Sequence, residues 1–141
     1  MLIPLRAGRL LLPNATVAEV IGYREPDPLA RAAVWLQGRV NWQQRELPVV
    51  DFERLLGQRD AKSGIRQRIV VCYAFDPQSR WPLFGLVAQG IPRLLRLSRE
   101  NVESARGGRP GESAVRMLLS VAGEELIVPD LDYLQAQLSA A

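Results

Sequence analysis

Residues 38–57 read GRVNWQQRELPVVDFERLLG, and a change of hydrophobic period inside them decides the fold. Arg39-Val40-Asn41-Trp42 and Glu46-Leu47-Pro48-Val49-Val50 are short runs rich in β-formers, separated by polar Gln43-Gln44-Arg45. Such a pattern predicts two strands joined as a hairpin. From Asp51 onward the period lengthens, because Phe52, Leu55 and Leu56 have helical spacing. Asp51 is the expected N-cap of a short helix, its carboxylate accepting from the free N–H groups of the first turn. Gly57, able to adopt a left-handed cap, is the expected stop. Strand, hairpin, strand and one-turn helix thus form a unit with one buried face.

The whole chain of 141 residues fits one domain, or two small lobes sharing a core. Hydrophobic residues make up 48% and charged residues 23%, a balance that folds. No apolar run approaches the ~20 residues needed to span a bilayer, so no direct membrane insertion is expected. Met1-Leu2-Ile3-Pro4-Leu5 is too short for a signal peptide. One cysteine, Cys72, forbids an intramolecular disulfide and fits a reducing cytoplasm. Histidine is absent, which removes Ser-His-Asp and Cys-His catalysis and the commonest zinc ligand. No metal or cofactor is expected. An enzyme working through carboxylates or Lys62, the single lysine, stays formally open. The net charge of +3 and a pI near 9.6 permit nucleic acid as a partner. The arginines are dispersed, however, and no aromatic-rich strand offers a stacking platform. A small β-barrel nucleic-acid-binding module is therefore the alternative reading, and no nucleic-acid partner is the expectation.

Working outward, strands are expected over residues 2–5, 9–12, 17–21, 69–75, 82–88, 91–97, 115–121 and 124–128. In the third of these, Val17 and Glu19 share one face and Val20 takes the other. Residues 24–31, 58–66 and 106–111 read as connectors, the middle one exposed and open to proteolysis. Ser98 caps a single helical turn, and Asp130 caps a terminal helix over residues 131–138. About ten short strands with no long helix between them predict an all-β fold of small barrels.

The opening unit recurs. ELPVVDFERL at residues 46–55 lies in step with ELIVPDLDYL at residues 125–134, and Leu12-Pro13 with Val17, Val20 and Ile21 matches Leu86-Val87 with Ile91, Leu94 and Leu95. Order and separation are kept, which points to two pseudo-repeated lobes within one domain, residues 1–141. Each lobe is too small for a good core alone, so the two are expected to pack, leaving an apolar groove suited to protein partners.

These residues carry a family resemblance. Leu12-Pro13, Val17-Ala18-Glu19-Val20, Gly38-Arg39-Val40-Asn41-Trp42-Gln43-Gln44 and Leu47-Pro48-Val49-Val50-Asp51-Phe52 follow one another as Ile-Pro, Val-x-Glu-Ile, Gly-Val-x-Asn-Leu-Arg-Gly and Ile-Pro-Val-Val-Asp-Leu do in CheW-like domains. Gly85-Leu86-Val87-Ala88-Gln89-Gly90-Ile91-Pro92-Arg93-Leu94-Leu95 resembles that family's Gly-Leu-Val-Val-Asp-x-Val-x-Glu-Val-Leu. The resemblance implies two packed SH3-like five-stranded β-barrels, short helices including a C-terminal one, and no catalytic activity. It implies an adaptor coupling chemoreceptor cytoplasmic helices to the regulatory domain of a CheA-type histidine kinase, at receptor arrays on the inner face of the membrane. Carried over by position, Val17, Glu19 and Gly38 face receptor or kinase, with Asn41, Trp42, Gln43 and Gln44 at the hairpin tip beside them. Val87, Ile91 and Leu94 fall near the inter-barrel groove that takes the receptor helix. The family's Arg-Gly is Gln43-Gln44 here, its Val-Asp is Ala88-Gln89, and Arg93 stands where Glu is frequent. In these departures the chain is closer to ChpC-type adaptors of type IV pilus chemosensory systems, which control twitching motility.

Most of these residues also have simpler roles. Capping explains Asp51 and Asp130 without chemistry. Cys72, inside an apolar strand, reads as a buried inert thiol. Trp35 reads as core, whereas Trp42 is either an interface anchor or core.

Overall fold

The computed structural model describes residues 1–58, 66–74, 76 and 78–141. In chain order the elements are β1 (Leu2–Pro4), β2 (Arg9–Leu11), a 3₁₀ turn (Asn14–Thr16), β3 (Val17–Gly22), β4 (Leu36–Trp42), β5 (Arg45–Val50), α1 (Phe52–Leu55), β6 (Arg68–Tyr73), β7 (Leu83–Ala88), β8 (Val102–Gly107), β9 (Val115–Val121), β10 (Glu124–Pro129) and α2 (Leu131–Ala140). The strands form two five-stranded sheets. The central sheet runs β3-β6-β7-β5-β4, and the terminal sheet runs β1-β2-β10-β9-β8. The first two strands thus join the last three, and the middle five stand together.

Both hairpins built on the quoted pattern turn in the same way. Trp42 pairs with Arg45 across Gln43 and Gln44, whose φ values are 47° and 64°, and Val121 pairs with Glu124 across Ala122 and Gly123, at 51° and 76°. Two successive left-handed residues give the turn whose twist matches that of its strands. Each second strand then runs into an aspartate-capped helix. Asp51 Oδ1 accepts from Arg54 N at 3.2 Å, and Asp130 Oδ1 accepts from Tyr133 N at 2.9 Å. Each of these strands also has a parallel neighbour, β7 beside β5 and β2 beside β10. Gly57, with φ 88°, follows α1 as expected.

The ends of the central sheet meet. β3 and β4 are terminal in its hydrogen-bonded order, yet Trp42 Nε1 donates to Glu19 Oε2 at 2.6 Å across them. Curling to that point encloses Val40, Leu47, Val49, Ile69, Val71, Leu83 and Val87 as an interior cluster. Gly85 belongs to the same interior by position, and a Cβ there would stand 2.7 Å from Ile69 Cγ2, so isoleucine fills the space that glycine leaves. The alternate residues of the same strands, Val50, Val70, Cys72, Phe84, Leu86 and Ala88, face outward into a second cluster shared with Ile3 and Leu10 of the terminal sheet and Leu134 and Leu138 of α2. Burial on both faces explains why residues 69–72 are continuously apolar instead of alternating. A third cluster around Leu2, Leu119 and Leu126 lies within the terminal sheet. The groove expected between the lobes is, over this seam, a filled core.

Several sequence expectations are corrected. Residues 91–97 form no strand. Pro92 lacks an N–H, and only Arg93 pairs, exchanging hydrogen bonds of 2.7 and 3.0 Å with Leu2. β8 was expected partly as connector, because its exposed sequence VESARG has no buried face to impose alternation. Ser98 starts a hydrogen-bonded turn, with Asn101 N donating to Ser98 O at 3.1 Å, but no helix. In β3 a bulge sets Val17 opposite Cys72 and Glu19 opposite Val71, so two steps on β3 meet one on β6. Val17 and Val20 therefore share the face toward the common core, and Glu19 does not join Val17. A second bulge carries β4 through Gly38, so the strand starts at Leu36 instead of Arg39. Residues 59–65, Phe75 and Pro77 lie outside the described residues, and with them Lys62, most of the expected exposed loop and the end of the sixth expected strand.

Candidate partner-binding surface

The residues singled out by sequence separate into three places. The first is the closure of the central sheet. Glu19 is exposed on β3, and Trp42, half-buried against the interior cluster, reaches across to hold its carboxylate. Trp42 is therefore part core and part surface, with the indole ring packed and its N–H turned to the rim. Asn41, Gln43 and Gln44 are exposed at the tip of the same hairpin. Arg39 and Glu46 pair across it at 2.8 Å, with side chains too exposed for the pair to add much stability. The arrangement is a polar rim that carries the Glu19 carboxylate and the Arg39–Glu46 pair.

The second group is buried. Gly38 is covered, with φ 139°, and a Cβ on it would sit 2.2 Å from Asp27 O. That carbonyl accepts from Arg39 N at 2.9 Å, and Asp27 N donates to Arg39 O at 2.9 Å. Gly38 thus lets the connector of residues 24–31 press against β4, a structural role with no side chain to offer. Val87 is 5% exposed inside the central sheet, and Val17 is half-buried against the shared core. Val87 presents no surface to a partner, in contrast to its carried-over position near a groove.

The third place is apolar and exposed. Leaving β7, the chain crosses from the central to the terminal sheet: Gln89 N donates to Pro4 O at 2.9 Å, and Arg93 pairs with Leu2. Ile91 and Leu94 stand on this crossing at 67% and 58% exposure, with Leu97 beyond them. Shallow hollows flank it, one of about 290 Å³ lined by Leu2, Pro4, Arg9, Ile91 and Arg93. Exposed branched aliphatics in sequence beside a hollow are what a docking helix or strand covers.

Sequence reasoning missed a buried polar cluster. Asp51 and Glu53 are both almost fully covered, and the turn between β1 and β2 lies over them. Glu53 accepts from Arg6 N at 2.7 Å and Ala7 N at 2.9 Å, and Asp51 Oδ2 pairs with Arg6 Nη1 at 2.9 Å. Asp51 caps its helix and also bolts one sheet to the other. Nothing local in the sequence marks a partner 45 residues away. Cys72 is fully buried, and loss of solvation pushes its thiol well above the usual range. Among the described residues no group of three or more Cys, Asp or Glu is placed to hold a metal ion, and no helix is long and apolar enough to cross a membrane.

The model of one family, the CheW-like domain, matches residues 1–137. The chain belongs to the CheW-like domain family. A protein named chemotaxis protein CheW from Rhizobium meliloti (strain 1021) is 25% identical over 118 residues, which cover 82% of this chain and 73% of that one. The crystal structure of scaffolding protein TtCheW from Thermoanaerobacter tengcongensis aligns with a TM-score of 0.74 over 94% of this chain and 88% of that one, at 15% identity. The two sheets and the C-terminal helix are the two SH3-like barrels of the CheW fold. Membership of that family supports a scaffold or adaptor role in chemotaxis signalling.

Proposed function

We propose that this CheW-like chain couples chemoreceptor cytoplasmic helices to the regulatory domain of a CheA-type histidine kinase, in arrays on the cytoplasmic face of the inner membrane. Family membership across residues 1–137 carries the reading. The two exposed places then divide the work. The polar rim at Glu19, Asn41, Trp42, Gln43 and Gln44 binds the kinase domain, and the apolar crossing at Ile91 and Leu94 takes the receptor helix. Val17 and Gly38 support the rim from beneath, and Val87 supports the sheet from which the crossing leaves. The two units of strand, hairpin and capped helix are read as copies of one ancestral lobe, interleaved so that a single domain results. Gln43-Gln44, in place of the family's Arg-Gly, supports assignment to a pilus-associated array of the ChpC type and thereby to twitching motility.

Pull-downs with purified receptor cytoplasmic fragment and kinase regulatory domain test the division. Ile91→Asp with Leu94→Asp is expected to lose the receptor fragment and keep the kinase domain, and Glu19→Ala to do the reverse, with unchanged thermal midpoints. Full retention of both partners by both variants would contradict it.

A further inference from the structure

The Glu19 carboxylate is held but not neutralised. Trp42 Nε1 donates to its Oε2 at 2.6 Å, from an indole whose ring is fixed by packing on the central interior cluster. Among the described residues no arginine lies within ion-pairing distance of Glu19. Arg39 on the same hairpin is engaged with Glu46, and Arg45, the cross-strand neighbour of Trp42, makes no ion pair with Glu19. Gln43 and Gln44 at the tip bring no charge. Four features therefore coincide: an exposed carboxylate, a bulge that displaces it from the face Val17 takes, a neutral donor that orients it, and no ion-pair partner among the described residues.

We propose that Trp42 is a positioning residue that presents the Glu19 carboxylate, free of an internal ion pair, to an arginine or lysine of the partner. The inference rests on the scaffold reading above and deepens it by naming the chemistry at the contact. A tryptophan N–H fixes one oxygen without cancelling the charge, leaving Oε1 for an incoming cation. A charge-assisted hydrogen bond to a pre-oriented carboxylate avoids the ordering cost that a free glutamate side chain brings to binding. An arginine in the place of Trp42 would orient the same oxygen while satisfying its charge internally. The indole thus selects for a basic partner surface.

The test joins a spectrum to a binding cycle. In ¹H–¹⁵N spectra of the full chain, the Trp42 indole N–H is expected to be shifted downfield and slow to exchange, and to lose both properties in Glu19→Ala, which removes the acceptor. With purified kinase regulatory domain at low salt, Glu19→Gln and Trp42→Phe are each expected to bind about tenfold more weakly, and the double variant no more weakly than Glu19→Gln alone. Replacing Trp42 by benzothienylalanine, an isostere without the N–H, is expected to match Trp42→Phe and so to separate donor from packing. An indole signal indifferent to Glu19→Ala overturns the proposal, as does binding by the benzothienylalanine variant at full strength. In that second case, weakened binding by Glu19→Gln leaves the scaffold reading standing. Wild-type protein that shows the indole signature yet does not bind the kinase domain removes the kinase contact and this inference together.

Discussion

At the scale of single residues, the hairpin tip departs furthest from local preference. Gln43 and Gln44 both occupy the left-handed region, where a Cβ crowds the following carbonyl. Gln44→Gly is expected to raise stability by about 1 kcal/mol, read as a higher midpoint in urea with an unchanged slope. Cys72 is a reactive residue type disarmed by its surroundings. Burial on both faces of β6 raises its thiol pKa and so keeps it protonated. Iodoacetamide at pH 8 is therefore expected to leave the native protein unlabelled and to label it fully in denaturant. Both residues were legible from sequence, Gln43-Gln44 as a turn between β-rich runs and Cys72 as part of an apolar strand. The hydrogen bond from Trp42 to Glu19 was not, since it depends on the central sheet curling until strands 23 residues apart meet.

At the scale of elements, α1 shows how a short helix serves beyond its own length. Four residues hold little helix stability alone, yet α1 carries both acceptors for the β1–β2 turn. Glu53→Ala removes the buried carboxylate that accepts from Arg6 N and Ala7 N and is expected to cost about 2 kcal/mol, whereas Glu53→Gln, which keeps one acceptor, is expected to cost less. Urea unfolding of the three proteins measures the difference. The cap at Asp51 was readable from the change of period; its bond to Arg6 was not, because capping and pairing look alike in one dimension. The elements misread from sequence fail for physical reasons of the same kind. β8 is a solvated edge strand, and residues 91–97 are apolar through exposure at a surface instead of through burial in a sheet. Hydrophobic pattern reports burial, and both segments break that link.

At the scale of the whole molecule, each sheet has an interior cluster of its own, and a further core is shared between them. The cluster containing Ile3, Leu10, Phe52, Phe84, Leu134 and Leu138 draws on both sheets and on α2, so the two barrels are expected to unfold in a single transition. Interleaving of β1 and β2 with β8 to β10 enforces the same result covalently. The outcome is one body with a polar rim at one place and an apolar crossing at another, the two places proposed above to hold different partners. The most direct measurement is kinase autophosphorylation in a reconstitution of receptor cytoplasmic fragments, a CheA-type kinase and this chain, with co-sedimentation in parallel. The kinase is expected to sediment with receptor and to come under receptor control only when the chain is present. Kinase recruitment and control that are the same with and without the chain would contradict its role as the coupling scaffold.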